Sequence, residues 1–89
     1  MPLNTTQKQD IIKQFQTASG DTGSPEVQIA LLTKRIDRLT EHLKAHQFDM
    51  RSRRGLLSMI AKRRRLINFL VKTDKNRAKD ITGKLELKS

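Results

Sequence analysis

The sequence predicts an all-α fold of four helices. Two long helices form an antiparallel hairpin, and a short N-terminal and a short C-terminal helix pack at one end of it. Three observations carry this reading. Apolar residues recur at steps of three and four instead of alternating, which is the period of a helix face. Glycine and proline are sparse, with Pro at 2 and 25 and Gly at 20, 23, 55 and 83, so the chain has few turns. Residues able to cap a helix stand just before each apolar-periodic run. At 89 residues the chain suits a single domain, 1–89, with a thin core. It holds no internal repeat, low-complexity tract or linker.

The first helix is expected from about Thr5 to Thr17. Asn4 is its cap, with Gln7 three residues on as a capping-box partner. Ile11, Ile12 and Phe15 form its apolar face, and the glycine-bearing segment Ala18–Ser24 ends it. Ser24 is a favourable N-cap for the second helix. Pro25 fits the first helical position, and Glu26 suits the positive end of the helix dipole. Ile29, Leu32, Ile36, Leu39 and Leu43 step three, four, three, four, a seam one helix wide. This helix should end near Ala45, making it about 30 Å long.

The stretch His46-Gln-Phe-Asp49 forms the turn, and Asp49 caps a third helix from about Met50 to Lys72. Leu56, Ile60, Ile67, Leu70 and Val71 make its inner face, with Met59 and Leu66 on the flank. Thr73 or Asp74 opens a last helix to about Leu85, which packs through Ala78, Ile81 and Leu85. Gly83 weakens that helix by ~1 kcal/mol relative to Ala, so its end is expected to fray.

Charge narrows the function. Lys and Arg number 19 against 9 Asp and Glu, a formal net charge of +10. Concentrating that charge on a small body costs self-repulsion, which a polyanionic partner relieves. Nucleic acid leads as that partner, ahead of an anionic membrane surface, because the cations cluster instead of spreading. Cysteine is absent, which excludes disulfides, a zinc knuckle and a thiol nucleophile, and agrees with a reducing cytoplasm. Met1–Asp10 is polar and holds no apolar run for a signal peptide. No stretch approaches the ~20 apolar residues of a membrane span. The expectation is a soluble protein that stays where it is made.

The densest charge is Arg51-Ser-Arg-Arg54 and Lys62-Arg-Arg-Arg65, both in the third helix. At 100° per residue, Arg51, Arg54, Lys62 and Arg65 share one stripe opposite the apolar face, flanked by Arg53 and Arg64. Arg63 falls close to the apolar side. Phe69 lies on the basic stripe one turn beyond Arg65, where an aromatic ring can stack on a base or sugar. It serves equally as core beneath the fourth helix, and the angles do not separate the two. Gln28, Arg35 and His42 repeat every seven residues beside the seam of the second helix. They are either a polar edge continuous with the basic face or ordinary solvated flanks of a heptad seam.

Gly20–Ser24 precedes a helix N-terminus, a place where phosphates bind, but it lacks the spacing of a Walker loop and reads first as a turn and cap. His42 and His46 stand four apart with no third ligand, so no metal or other cofactor is expected. Ser52, His42 and Asp49 have the residue types of a triad, yet a slim helical hairpin offers no enclosed cleft or oxyanion hole. The enzyme class is excluded. Two rivals to RNA binding stand: a nucleoid-type DNA-binding protein using the same basic face, and a protein-interaction module pairing through the hairpin seam.

Three stretches then carry a resemblance: Asp21-Thr-Gly-Ser-Pro-Glu-Val-Gln-Ile-Ala-Leu-Leu-Thr33, His46-Gln-Phe-Asp49 and Ser52-Arg-Arg-Gly-Leu-Leu57. They closely resemble the S-fifteen family of bacterial small-subunit ribosomal proteins, over nearly the whole chain. The resemblance implies a four-helix protein that binds small-subunit rRNA directly and early in assembly, in the cytoplasmic ribosome. It implies contact with a three-way RNA helix junction through Thr22, Gly23, Gln28, Arg35, Arg65 and Phe69. It implies a second contact, with the shallow groove of a nearby RNA helix, through His42, Asp49 and Ser52. Arg54 and Lys62 join the RNA surface from the basic stripe. Neighbouring ribosomal proteins, and large-subunit rRNA at the subunit interface, are the other partners implied. The sequence departs from the family pattern at Phe69, where Tyr is common, and in Arg77–Lys84, which lacks the aromatic residue expected there.

Overall fold

Each helix begins at a residue whose side chain replaces a missing backbone acceptor. The computed structural model describes residues 3–16 and 23–85. Helix α1 spans Thr5–Phe15, α2 Pro25–Ala45, α3 Met50–Thr73 and α4 Lys75–Lys84. Asn4 Oδ1 accepts from the Gln7 amide at 2.8 Å, and Gln7 Oε1 accepts from the Asn4 amide at 3.1 Å, completing the expected capping box. Ser24 Oγ accepts from the Val27 amide at 3.3 Å, with Pro25 in the first turn. Asp49 Oδ1 accepts from the Ser52 amide at 3.0 Å. Asp74 closes α3, its amide donating to Leu70 O at 2.7 Å, and opens α4 by accepting from the Asn76 and Arg77 amides.

Three helix ends differ from the sequence-based expectation, α3 by a single added residue, Thr73. Helix α1 stops at Phe15, because Gln16 turns to extended backbone (φ −63°, ψ 144°) after its amide bonds Ile12 O. Phe15 is also the last buried residue of that helix. Thr17 and Ala18–Thr22 lie outside the described residues. Helix α4 runs through Gly83 to Lys84, and Leu85 packs against the core.

The core sits where all four helices meet. Leu3, Ile11 and Phe15 enter it from α1 and its approach, Val27, Ile29 and Ala30 from α2, Leu70 from α3, and Ala78 and Ile81 from α4. Ile29, Leu70 and Val27 are fully buried. Away from that end, among the described residues, only the two long helices remain. Leu32, Ile36 and Leu39 of the α2 seam are buried there, and Leu43, Leu56 and Ile60 are half-buried. The hairpin therefore projects as a two-helix arm beyond a four-helix base. Helix α4 holds on without an aromatic residue: Ala78, Ile81 and Thr82 are buried, and Thr82 Oγ1 donates to Ala78 O at 2.9 Å.

Val71 is a correction. It was expected on the inner face of α3 but is 40% exposed. Leu70 of α3 is buried in the core with Ala78 and Ile81 of α4, while Val71, the next residue round the helix, lies at the margin of that packing.

Candidate RNA interface

The tip of the arm is organised around one carboxylate. Asp49 is the N-cap of α3, so its Oδ1 is held by the Ser52 amide at 3.0 Å. Its Oδ2 accepts from Ser52 Oγ at 2.6 Å and lies 2.9 Å from His42 Nε2 across the turn. The two hydrogen bonds from Ser52, side chain first and then backbone, hold the Asp49 carboxyl well below the usual carboxylate range, and His42 adds to the effect. A charged carboxylate only accepts, so His42 Nε2 carries the shared proton. In the neutral ring Nδ1 is then an acceptor.

The His42 ring stacks on His46, with centroids 4.5 Å apart at 28°. The spacing of four residues thus brings the two rings into an aromatic stack. Among the described residues no group of three or more His, Cys, Asp or Glu is arranged to hold a metal ion.

At the other end of α2, the Gln28 side chain donates from Nε2 to the Gly23 carbonyl at 2.7 Å. This ties the approach segment to the first turn of the helix. Gly23 is exposed, while Gln28, Arg35 and His42 are half-buried along one edge of α2. Gln28 and His42 are 14 residues apart, about 21 Å along a helix. Thr22 lies outside the described residues.

On α3, Arg54, Lys62 and Arg65 are exposed, as expected for the basic stripe. Phe69 is 54% exposed, which removes the reading of it as core beneath α4. The structure thus joins His42, Asp49 and Ser52 in one network and Gly23 with Gln28 in another. Among the described residues, Arg35 of α2 and the exposed Arg54, Lys62, Arg65 and Phe69 of α3 are not drawn into either network.

Three features escaped the sequence reading. Arg63 turns inward, half-buried, and donates from its guanidinium to Thr33 Oγ1 at 3.3 Å. Glu26 is buried and paired with Arg77 of α4 at 2.6 Å through two hydrogen bonds. Phe48, in the turn, is 87% exposed. The position of Arg63 on the apolar side was the one signal available in advance. The partners of Glu26 and Arg77 stand 51 residues apart with no shared period to announce them.

Fold and surface define a small, basic, all-helical protein that exposes cations on its third helix and anchors one carboxylate at the tip of the hairpin. No helix of the described residues is long and apolar enough to cross a membrane. The chain belongs to the ribosomal protein S15 family, whose model matches residues 8–88. This is a family of ribosomal structural proteins, not of enzymes. The chain is 56% identical over 86 residues to the small ribosomal subunit protein uS15 of Caldanaerobacter subterraneus subsp. tengcongensis, covering 97% of this chain and 98% of that protein. It is 53% identical over 88 residues to the uS15 of Parafrankia sp. (strain EAN1pec), covering 99% of each. With the uS15 of Arthrobacter sp. (strain FB24) it shares 50% over 88 residues, again 99% of each.

Proposed function

We propose that the protein is a structural component of the small ribosomal subunit that binds small-subunit rRNA directly, at a three-way helix junction and at a neighbouring minor groove. It fixes the relative orientation of RNA helices during assembly of the cytoplasmic ribosome. The mechanism is binding without reaction: one junction geometry is favoured because it is contacted better than the alternatives. Neighbouring ribosomal proteins, and large-subunit rRNA at the subunit interface, complete its surroundings.

The observation that carries this reading is the anchored Asp49 carboxylate on a chain of net charge +10. Against a phosphate backbone an anion is repulsive, so an anchored carboxylate on so basic a chain calls for a donor partner. Ser52 Oγ gives its hydrogen to Asp49 and keeps its lone pairs. Asp49, Ser52 and His42 Nδ1 together present acceptors. A-form RNA displays matching donors in its wide, shallow minor groove: the 2′-hydroxyls and the guanine N2 amine. Arg35, Arg54, Lys62 and Arg65 supply phosphate contacts, which position the protein and carry much of the affinity. Gly23, Gln28 and Phe69, with Thr22, belong to the junction contact, where Phe69 stacks.

The test is competition binding at ~0.2 M salt, where non-specific phosphate attraction is weakened. A three-way-junction RNA from the small subunit competes against duplex RNA and duplex DNA. Preference for the junction supports the proposal. Equal binding to all three reduces the protein to a generic basic helix pair, and preference for DNA favours a nucleoid role.

A further inference from the structure

Glu26 occupies the first turn of α2, between the Ser24 cap and Gln28. A carboxylate there gains from the helix dipole without leaving solvent. This one is nevertheless buried, its side chain only 10% exposed, and desolvation of a charge is costly unless a partner offsets it. The partner comes from α4. Arg77 Nε donates to Glu26 Oε2 and Arg77 Nη2 to Oε1, each at 2.6 Å, the parallel fork that only a guanidinium makes with a carboxylate. Arg77 is itself placed by its backbone, since its amide is held by the Asp74 cap at 3.2 Å. Ala78 and Ile81, on the same short helix, are buried in the core.

We propose that Glu26 and Arg77 are positioning residues for the junction contact: the pair clamps the first turn of α2 to α4, and so sets where Gly23 and Gln28 meet the RNA. Neither residue needs to touch RNA for this. The path is short and continuous. The clamp holds Glu26, the same turn carries the Ser24–Val27 cap, and Gln28 holds the Gly23 carbonyl at 2.7 Å. The tip network at Asp49 lies at the far end of α2 and is outside the reach of this clamp. The pair therefore tunes one RNA contact and not the other, an inference that rests on the two-contact reading above.

The test is a double-mutant cycle on the full chain, with Glu26→Gln, Arg77→Met and the double variant, and Lys79→Met as the charge control on an exposed residue of α4. Each protein is titrated with the three-way-junction RNA and with a duplex presenting the groove alone, and its helix content is checked by circular dichroism. Glu26→Gln adds one unit of net positive charge, so a purely electrostatic effect tightens binding. The clamp requires the opposite, a loss of about tenfold on the junction RNA, in the range coupled neighbours show. Arg77→Met loses a similar factor, the double variant loses no more than the worse single, and binding to the groove duplex follows the Lys79→Met control. Additive losses, equal losses on both RNAs, or a tighter Glu26→Gln complex overturn the proposal.

Hydrogen exchange of the Val27 and Gln28 amides reads the clamp without RNA. Exchange accelerates in Arg77→Met and not in Lys79→Met if the clamp holds that turn, and unchanged exchange overturns it. Wild-type protein with no junction preference sinks the functional reading instead, whatever the exchange shows.

Discussion

His42 Nε2 lies 2.9 Å from Asp49 Oδ2, across the turn between the two long helices, and joins the last turn of α2 to the first turn of α3. One carboxylate thereby caps a helix and anchors an imidazole. Removing its charge and removing its capping role are separable. Asp49→Asn keeps a competent cap, since Asn and Asp cap about equally well, but loses the anion. The expected outcome is a fold of near wild-type helix content with weakened binding to the groove duplex, although net positive charge rises by one. Tighter binding to all RNAs would mean that Asp49 has no specific role.

The same residue sets a pH dependence. Its folded-state pKa is depressed below the unfolded value of ~3.9, so the unfolded chain binds the proton first. The stabilisation is fully present above that unfolded value and is lost as pH falls below it toward the folded-state pKa. Melting temperatures of wild type and Asp49→Asn, taken from pH 7 down to pH 3, should converge as the pH drops. Parallel curves would show that the carboxylate is not held as the geometry requires.

Arg63 and Arg65 are two residues apart, and each carries one positive charge, but they face opposite ways. Arg65 is exposed on the basic stripe, and Arg63 is turned onto Thr33. Arg65→Met should weaken junction binding well beyond Arg63→Met, which keeps an apolar stem in the seam. Thr33→Val should cost about 1 kcal/mol, because Thr33 Oγ1 both accepts from Arg63 and donates to Ile29 O. Urea unfolding and RNA titration on the same three variants decide it, and equal RNA losses at positions 63 and 65 would refute the orientation.

Phe69 is exposed, so its removal should be felt in binding and not in folding. Phe69→Leu should lose about 1–3 kcal/mol of junction affinity with little change in melting temperature. Phe69→Tyr, which restores the residue common in the family, should bind at least as well as wild type. A large loss of stability in Phe69→Leu would place the ring in the core after all.

Leu70 and Val71 are neighbours with opposite fates. Leu70→Ala should cost about 2–5 kcal/mol, because it empties a fully buried site at the four-helix end. Val71→Ala, at a half-open site, should cost under about 1 kcal/mol. Denaturant midpoints at equal slopes measure both.

Much of the candidate site could be read from residue order. The exposed placement of Arg54, Lys62 and Arg65 follows from 100° steps around α3, and the seven-residue row Gln28, Arg35, His42 from the same geometry on α2. The role of Phe69 did not follow, because its angle lies where a fourth helix covers the ring or leaves it bare. Which side α4 takes is settled by the fold-back at Asp74 and by what Ala78 and Ile81 bury.

The sequence by itself determined the class, the four helices, three of their caps and the seam, and left the fourth cap between Thr73 and Asp74, since capping and amphipathic period act within one or two turns of chain. It also determined the basic character that suits a polyanionic partner, which needs only net charge and its spacing. Tertiary structure alone decided the pairing of Glu26 with Arg77, the inward turn of Arg63 and the exposure of Val71. Each depends on which surfaces meet when residues far apart in sequence pack together, and a sequence period carries no record of its partner across space.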